Sequence, residues 1–213
     1  TGVVTGITGG TITITYSLTG GCFKTAAFTV RALPVISGTA TVCAASTTNL
    51  TSSPTGGVWS SSDVSKATIN ATSGVVTGVD AGTTLISYLT SGCYGTRTVT
   101  VNPRPDSVTG SMATCIASSV TLVGYPSGGT WASSLTTRAT VGSTSGIVTG
   151  VSAGTTTISY TLSTGCRRTT VFTVGTTPAV ITGTTNVCVG SVTTLSSSTT
   201  GGTWSSSDAG VAV

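Results

Sequence analysis

The sequence predicts an all-β chain of tandem antiparallel β-sandwiches, about 72 residues per repeat, with half-domains at both chain ends. Three observations predict it. Ser and Thr supply roughly two-fifths of the residues, Gly is abundant, and Val and Ile dominate the apolar set, which favours strands joined by tight turns. Apolar and polar residues alternate in "TITITY", with Ile12, Ile14 and Tyr16 on one face and Thr11, Thr13 and Thr15 on the other, as a sheet with one buried face requires. The third is an internal period. "GVVTG" or "GIVTG" begins at Gly2, Gly74 and Gly146, at spacings of 72 and 72, and "GG-x-W" places Trp59, Trp131 and Trp204 at spacings of 72 and 73. Tyr16, Tyr88 and Tyr160 recur at 72 and 72, and Pro34, Pro105 and Pro178 at 71 and 73, each proline just after a strand-like run. Proline ends ladder pairing and stiffens a linker, so these prolines divide the units.

The divisions give four segments: 1–34, 35–105, 106–178 and 179–213. Within 35–105 seven short runs lie between turn signals. "PVISGTATV" and "TTNLTSS" are expected strands A and B, with "CAAS" turning between them. "GGVWSS" is C, "KATIN" is D, "GVVTGV" is E and "TTLISYL" is F; "TRTVTVN" is G, after the turn "TSGCYG". Segment 106–178 repeats the series. Segment 1–34 holds only strands E to G, and 179–213 only A to D. Trp59, Trp131 and Trp204 on strand C, with Tyr16, Tyr88 and Tyr160 on strand F, are the expected core anchors.

Composition argues against an enzyme. There is no His and no Glu, and the four acids are Asp63, Asp80, Asp106 and Asp208. General acid–base chemistry needs paired carboxylates, His or a tuned Lys. No acid recurs in all three copies: Leu135 stands where Asp63 and Asp208 do, and Ser152 and Thr8 stand where Asp80 does. No metal and no cofactor is expected. The net charge of +4 comes from eight scattered cations, with no basic stripe to hold nucleic acid. No apolar run approaches membrane-spanning length, so no membrane insertion is expected.

"GGTWSSSD" and "GIVTGVSAGTTTISY", recurring together at fixed spacing, closely resemble bacterial immunoglobulin-like repeats of group 2. With "VCVGS" before strand B and "TGC" after strand F, the chain is similar to the tandem arrays of very large surface proteins of Bacteroidetes-type bacteria. The resemblance covers essentially the whole chain. It implies an immunoglobulin-like sandwich and a role as stalk, adhesin or filament segment. Asp106-Ser107-Val108 resembles the O-glycosylation motif of the same group, which implies a sugar at Ser107 and glycans on the Thr-rich faces.

Six cysteines in a chain without His read as disulfides, and hence as an extracellular or cell-surface location. They form two periodic series, Cys43, Cys115, Cys188 and Cys22, Cys93, Cys166. Two schemes fit. Each unit closes on itself, Cys43 with Cys93 and Cys115 with Cys166, or neighbours are stapled, Cys43 with Cys166. In an immunoglobulin-like topology the A–B and F–G turns lie at opposite ends of a strand roughly 20 Å long. A disulfide needs Cα atoms within about 7 Å, so the neighbour scheme is favoured. With copies joined end to end both schemes use every thiol: the neighbour scheme pairs Cys115 with Cys22 and Cys188 with Cys93 of the next copy, and internal closure pairs Cys188 with Cys22 of the next copy.

The end segments add up to nearly one repeat. Either the chain is a window on a longer array, or the C-terminal half of one copy is completed by the N-terminal half of the next. The expected role is therefore mechanical, a structural segment of an extracellular bacterial fibre whose partner is itself. The competing expectation is the stalk of a large cell-surface adhesin with its binding tip outside this sequence.

Overall fold

The computed structural model describes residues 2–213; Thr1, the first residue of the expected segment 1–34, lies outside the described residues. The chain is all-β and divides into two compact units. One comprises the residues up to Asp106 with Thr161–Arg167, the other Ser107–Tyr160 with Arg168–Val213.

The first unit opens with a hairpin of β1 (Gly10–Ser17) and β2 (Phe23–Val30), paired antiparallel from Gly10 with Val30 to Ser17 with Phe23. Eight strands follow: β3 (Val35–Gly38), β4 (Thr41–Cys43), β5 (Thr47–Ser53), β6 (Val58–Ser61), β7 (Ala67–Ile69), β8 (Val75–Gly78), β9 (Gly82–Thr90) and β10 (Cys93–Asn102). They form two four-stranded sheets, ordered β3-β5-β8-β7 and β4-β10-β9-β6. In the lettering of the sequence these are A-B-E-D and A′-G-F-C, the order of an immunoglobulin-like sandwich. Between the sheets lie Val42, Leu50, Trp59, Ala67, Val76, Ile86, Tyr88, Val99 and Val101, all buried. Ile86 and Tyr88 on β9, and Val99 and Val101 on β10, are alternate residues of their strands.

The expected single strand A is two strands. β3 pairs antiparallel with β5, then the chain crosses to the other sheet, where β4 runs parallel to β10 with Cys43 beside Asn102. Gly38 makes the crossing. Its φ is +110°, and a Cβ there would stand 2.5 Å from the Asn49 carbonyl oxygen, so only glycine fits.

The second unit repeats the plan with β11 (Ser107–Thr109), β12 (Ala113–Cys115), β13 (Ser119–Thr121), β14 (Val123–Tyr125), β15 (Thr130–Ser133), β16 (Ala139–Val141), β17 (Ile147–Gly150), β18 (Gly154–Thr161) and β19 (Arg167–Gly175). Strand B is broken at Leu122 into β13, which pairs with β17, and β14, which pairs with β11. The other sheet, β12-β19-β18-β15, is continuous. The buried apolar residues between the sheets of this unit are Leu122, Trp131, Ala139, Val148, Ile158, Tyr160, Phe172 and Val174.

Residues 179–213, expected to carry strands A to D, form no strand; they hold one antiparallel bridge, Thr182 with Ser196. Local turns nevertheless copy those of the complete sandwiches. Gly183, at the position of Gly38, has φ +120°, and Val211 and Ala212 donate to the Asp208 carbonyl as Lys66 and Ala67 donate to that of Asp63. Short-range geometry is present and the ladder is not. The strands that complete the ladders of β5 and β6 are β8 and β9, and their counterparts belong to segment 1–34.

Candidate functional site

The structure brings Cys43 and Cys166 together in a disulfide with Cα atoms 5.6 Å apart. Cys43 ends β4 and Cys166 sits in the turn before β19, a segment that belongs to the first unit. Cys22, Cys93, Cys115 and Cys188 are free thiols. Their places fall into two kinds. Cys115 ends β12 beside Gly175, as Cys43 ends β4 beside Asn102, and Cys188 stands at the same sequence position one repeat on. Cys22 lies in the β1–β2 turn and Cys93 opens β10 directly after the β9–β10 turn, the repeat position of Cys166 just before β19. Closure within one sandwich is excluded by register. Cys93 lies nine residues along β10 from Asn102, the neighbour of Cys43, which is roughly 30 Å of extended chain. Cys166 is likewise nine residues from Gly175, the neighbour of Cys115.

Two of the three expected anchor pairs meet. The rings of Trp59 and Tyr88 are 4.5 Å apart and those of Trp131 and Tyr160 4.6 Å, both tilted. Each tyrosine hydroxyl accepts from the backbone of the GG-x-W turn, Gly57 N at 2.6 Å and Gly129 N at 2.8 Å. An indole packed on a phenol whose polar tip is satisfied stabilises by area and by ring geometry together. Tyr16 and Trp204 are the correction. Tyr88 and Tyr160 are 3% and 2% exposed, Tyr16 72%; Trp59 and Trp131 are 5% and 6% exposed, Trp204 58%. Leu50, Leu122 and Leu195 read 1%, 2% and 38% in the same order. The residues are the right ones for a core, but each stands on half a sandwich with no facing sheet. Leu195, Trp204 and Ala212 accordingly line an open groove of about 710 Å³.

A polar cluster that sequence reasoning missed recurs in the two complete sandwiches, on the residues that follow Trp59 and Trp131. Thr84 is buried, and its Oγ1 accepts from Asp63 N at 3.0 Å while bonding the hydroxyls of Ser61 at 3.0 Å and Ser62 at 3.2 Å. Thr156 does the same for Leu135 N, Ser133 and Ser134, at 3.0, 3.1 and 3.2 Å. The signal is W-x-S-S recurring with "AGTT". Ser and Thr are so common here that no single hydroxyl stood out.

Gly150-Val151-Ser152-Ala153-Gly154 has the spacing of a hydrolase nucleophile elbow. Ser152 Oγ instead donates to Thr137 O at 2.7 Å and accepts from Arg138 at 3.2 Å. The chain holds no His to deprotonate it. It occupies the place of Asp80, whose carboxylate takes Lys66 Nζ at 2.7 Å. The hydrogen bond from Lys66 holds the Asp80 carboxyl below its ordinary value, and that from the Ser65 hydroxyl does so for Asp63. Two turns thus use different polar side chains for one structural task. Ser107, the sugar position implied by the resemblance, begins β11 in register with Tyr125 and is partly buried.

No known protein family and no curated protein matches the sequence. Solved structures match at low identity and low TM-score. The C-terminal 282-residue fragment of intimin, in complex with the translocated intimin receptor's intimin-binding domain, is 19% identical with a TM-score of 0.43. The match spans 70% of this chain and 65% of that fragment, less than two thirds of its length. Domains 4 and 5 of the S-layer protein SbsC are 20% identical, TM-score 0.31, over 66% of this chain and 96% of that one. A SusE-like surface located polysaccharide binding protein of Bacteroides thetaiotaomicron is 11% identical, TM-score 0.35, over 69% and 35%. The chain itself is an all-β series of immunoglobulin-like sandwiches.

Proposed function

We propose that the chain is a structural segment of an extracellular bacterial fibre made of immunoglobulin-like sandwiches strung end to end, of the group 2 type that "WSSSD" and "GIVTGVSAGTT" resemble. Residues 1–34 act as the E–G half of a repeat and 179–213 as the A–D half; either the C-terminal half of one copy is completed by the N-terminal half of the next, a head-to-tail contact, or both halves are completed by the rest of a longer chain. The observation that carries this reading is the contrast in burial. Leu, Trp and Tyr at fixed repeat positions are sealed in the two complete sandwiches and open on the two halves. The exposed set on each half is the set that its missing partner would cover. A head-to-tail contact of this kind does not close on itself, so it propagates as a filament.

The disulfide and the scarcity of charge suit an oxidising exterior. Reach, stiffness and resistance to proteolysis are the properties such a series supplies. Sedimentation of the full chain, with the four free cysteines changed to Ser, tests the reading. It predicts a series of multimers that lengthens with concentration. A single monomeric species up to millimolar concentration would instead favour the adhesin stalk, in which the halves are completed along one longer chain.

A further inference from the structure

We propose that the Cys43–Cys166 bond takes residues 44–165 out of the line of tension, so that a pull along the chain runs through β3, β4, the disulfide and β19 and leaves both sandwich cores unloaded. The inference deepens the mechanical reading above and holds for fibre and stalk alike. It asks only that load enters before Val35 and leaves after β19.

The covalent path is short. Cys43 and Cys166 are 123 positions apart in sequence, with Cα atoms 5.6 Å apart. Tension arriving at Val35 passes along β3 and β4 to Cys43, crosses the sulfur bridge and continues from Cys166 into β19. Strands β5 to β18 all lie on the bypassed loop. So does every core residue of the first sandwich except Val42, and every one of the second except Phe172 and Val174.

The segments left on the path are already extended. Only Thr39 and Ala40 separate β3 from β4, and β19 begins at Arg167, next to Cys166. A strand rises about 3.2–3.4 Å per residue and a fully drawn chain about 3.3–3.6 Å, so pulling lengthens such a path by roughly a tenth at most. A strand pulled equally from both ends passes no net force to its neighbours. The β3–β5, β4–β10 and β12–β19 ladders therefore carry no net load.

With the bond open, the same pull enters the first sandwich at Val35 and leaves through Asn102. There β4 lies parallel beside β10, Thr41–Cys43 against Thr100–Asn102, so the load shears this ladder. β12 and β19 stand in the same relation in the second sandwich. Unfolding both then frees about 400 Å, the 123-position separation at about 3.3–3.6 Å per residue. The bond that prevents this is sheltered: Cys166 is 1% exposed, which restricts thiolate access to its sulfur.

The test pulls single full-length chains in optical tweezers, held by peptide tags at both ends, with Cys22, Cys93, Cys115 and Cys188 changed to Ser. With the bond closed, the proposal predicts that only the end segments lengthen, after which the trace stiffens with no further step. C43S/C166S is predicted to reach a fully stretched length about 400 Å greater, as is the parent chain reduced with dithiothreitol. The length difference does not require C43S/C166S to fold. Equal stretched lengths for closed and open chains would overturn the proposal, as would a further lengthening step in the closed chain once its ends are drawn out. Because single chains are pulled, assembly plays no part. Failure here leaves the fibre reading standing, and a chain that never assembles leaves this inference standing.

Discussion

Replacing Tyr16 by Ala probes the composite core directly. Tyr16 is 72% exposed and Tyr88, its counterpart in a complete sandwich, 3%, so completion removes 69 percentage points (72 less 3) of its surface from water. A buried aromatic covers about 150–250 Å², so roughly 100–170 Å² changes environment. At about 25 cal/mol per Å² this is on the order of 3 kcal/mol, or about a hundredfold in the dissociation constant of the joint. Sedimentation velocity across a concentration series measures it, with the four free cysteines changed to Ser so that only strand exchange holds copies together. Tyr16→Phe is the control. Tyr88 accepts from Gly57 N, and in a composite sandwich the Tyr16 hydroxyl would accept from the equivalent Gly202 N. Tyr16→Phe loses only this bond and weakens the joint by about 0.5–1.5 kcal/mol. Thermal stability of the single copy stays within about 0.5 kcal/mol, as for other exposed positions. An unchanged dissociation constant for Tyr16→Ala would refute the reasoning, as would a loss of single-copy stability as large as that of Tyr88→Ala.

Three further predictions concern the complete sandwiches. Thr84→Val keeps the volume but leaves the Asp63 amide without its acceptor, while Ser61 keeps its bond to the Ala67 carbonyl and Ser62 that from the Leu85 amide; calorimetry should show a loss of about 1–3 kcal/mol, with Thr84→Ser much milder. Gly74 has φ +73°, and a Cβ there would collide with the Leu50 carbonyl and the Trp59 indole nitrogen. Gly74→Ala should therefore cost at least about 1–3 kcal/mol in a denaturant titration. Asp80 is held below its ordinary value of 3.8 by Lys66, so its contribution is present above that value and fades as pH falls through the lower folded-state value. Asp80→Asn should flatten the acid side of the stability profile at low salt and change nothing at high salt, because the pair is exposed.

Strand positions are readable from the sequence because alternation and turn residues are local signals. The period then does more than any single motif, fixing Trp59 against Tyr88 and Trp131 against Tyr160 as matching places in matching repeats. What escapes is set by long-range pairing. The crossing of strand A between sheets depends on β4 finding β10, some 60 residues away, and only Gly38 marks the place. The Thr84 cluster joins residues 21 to 23 positions apart, in a chain where hydroxyls are everywhere. Tyr16 and Trp204 are core residue types at core positions of the repeat, yet burial is a property of the partner sheet as well as of the residue. Their own segments do not supply that sheet.

The most direct test of strand exchange mixes two full-length variants, both with the four free cysteines changed to Ser. Tyr16→Asp spoils the N-terminal half and leaves the C-terminal half intact, and Trp204→Asp does the reverse. Each alone has one working half and nothing to join it to, so each is predicted to sediment as a monomer. Mixed in equal amounts, they should form a one-to-one dimer and stop there, since the remaining free halves are both spoiled. Polymerisation of either variant alone, or no dimer in the mixture, would contradict the account.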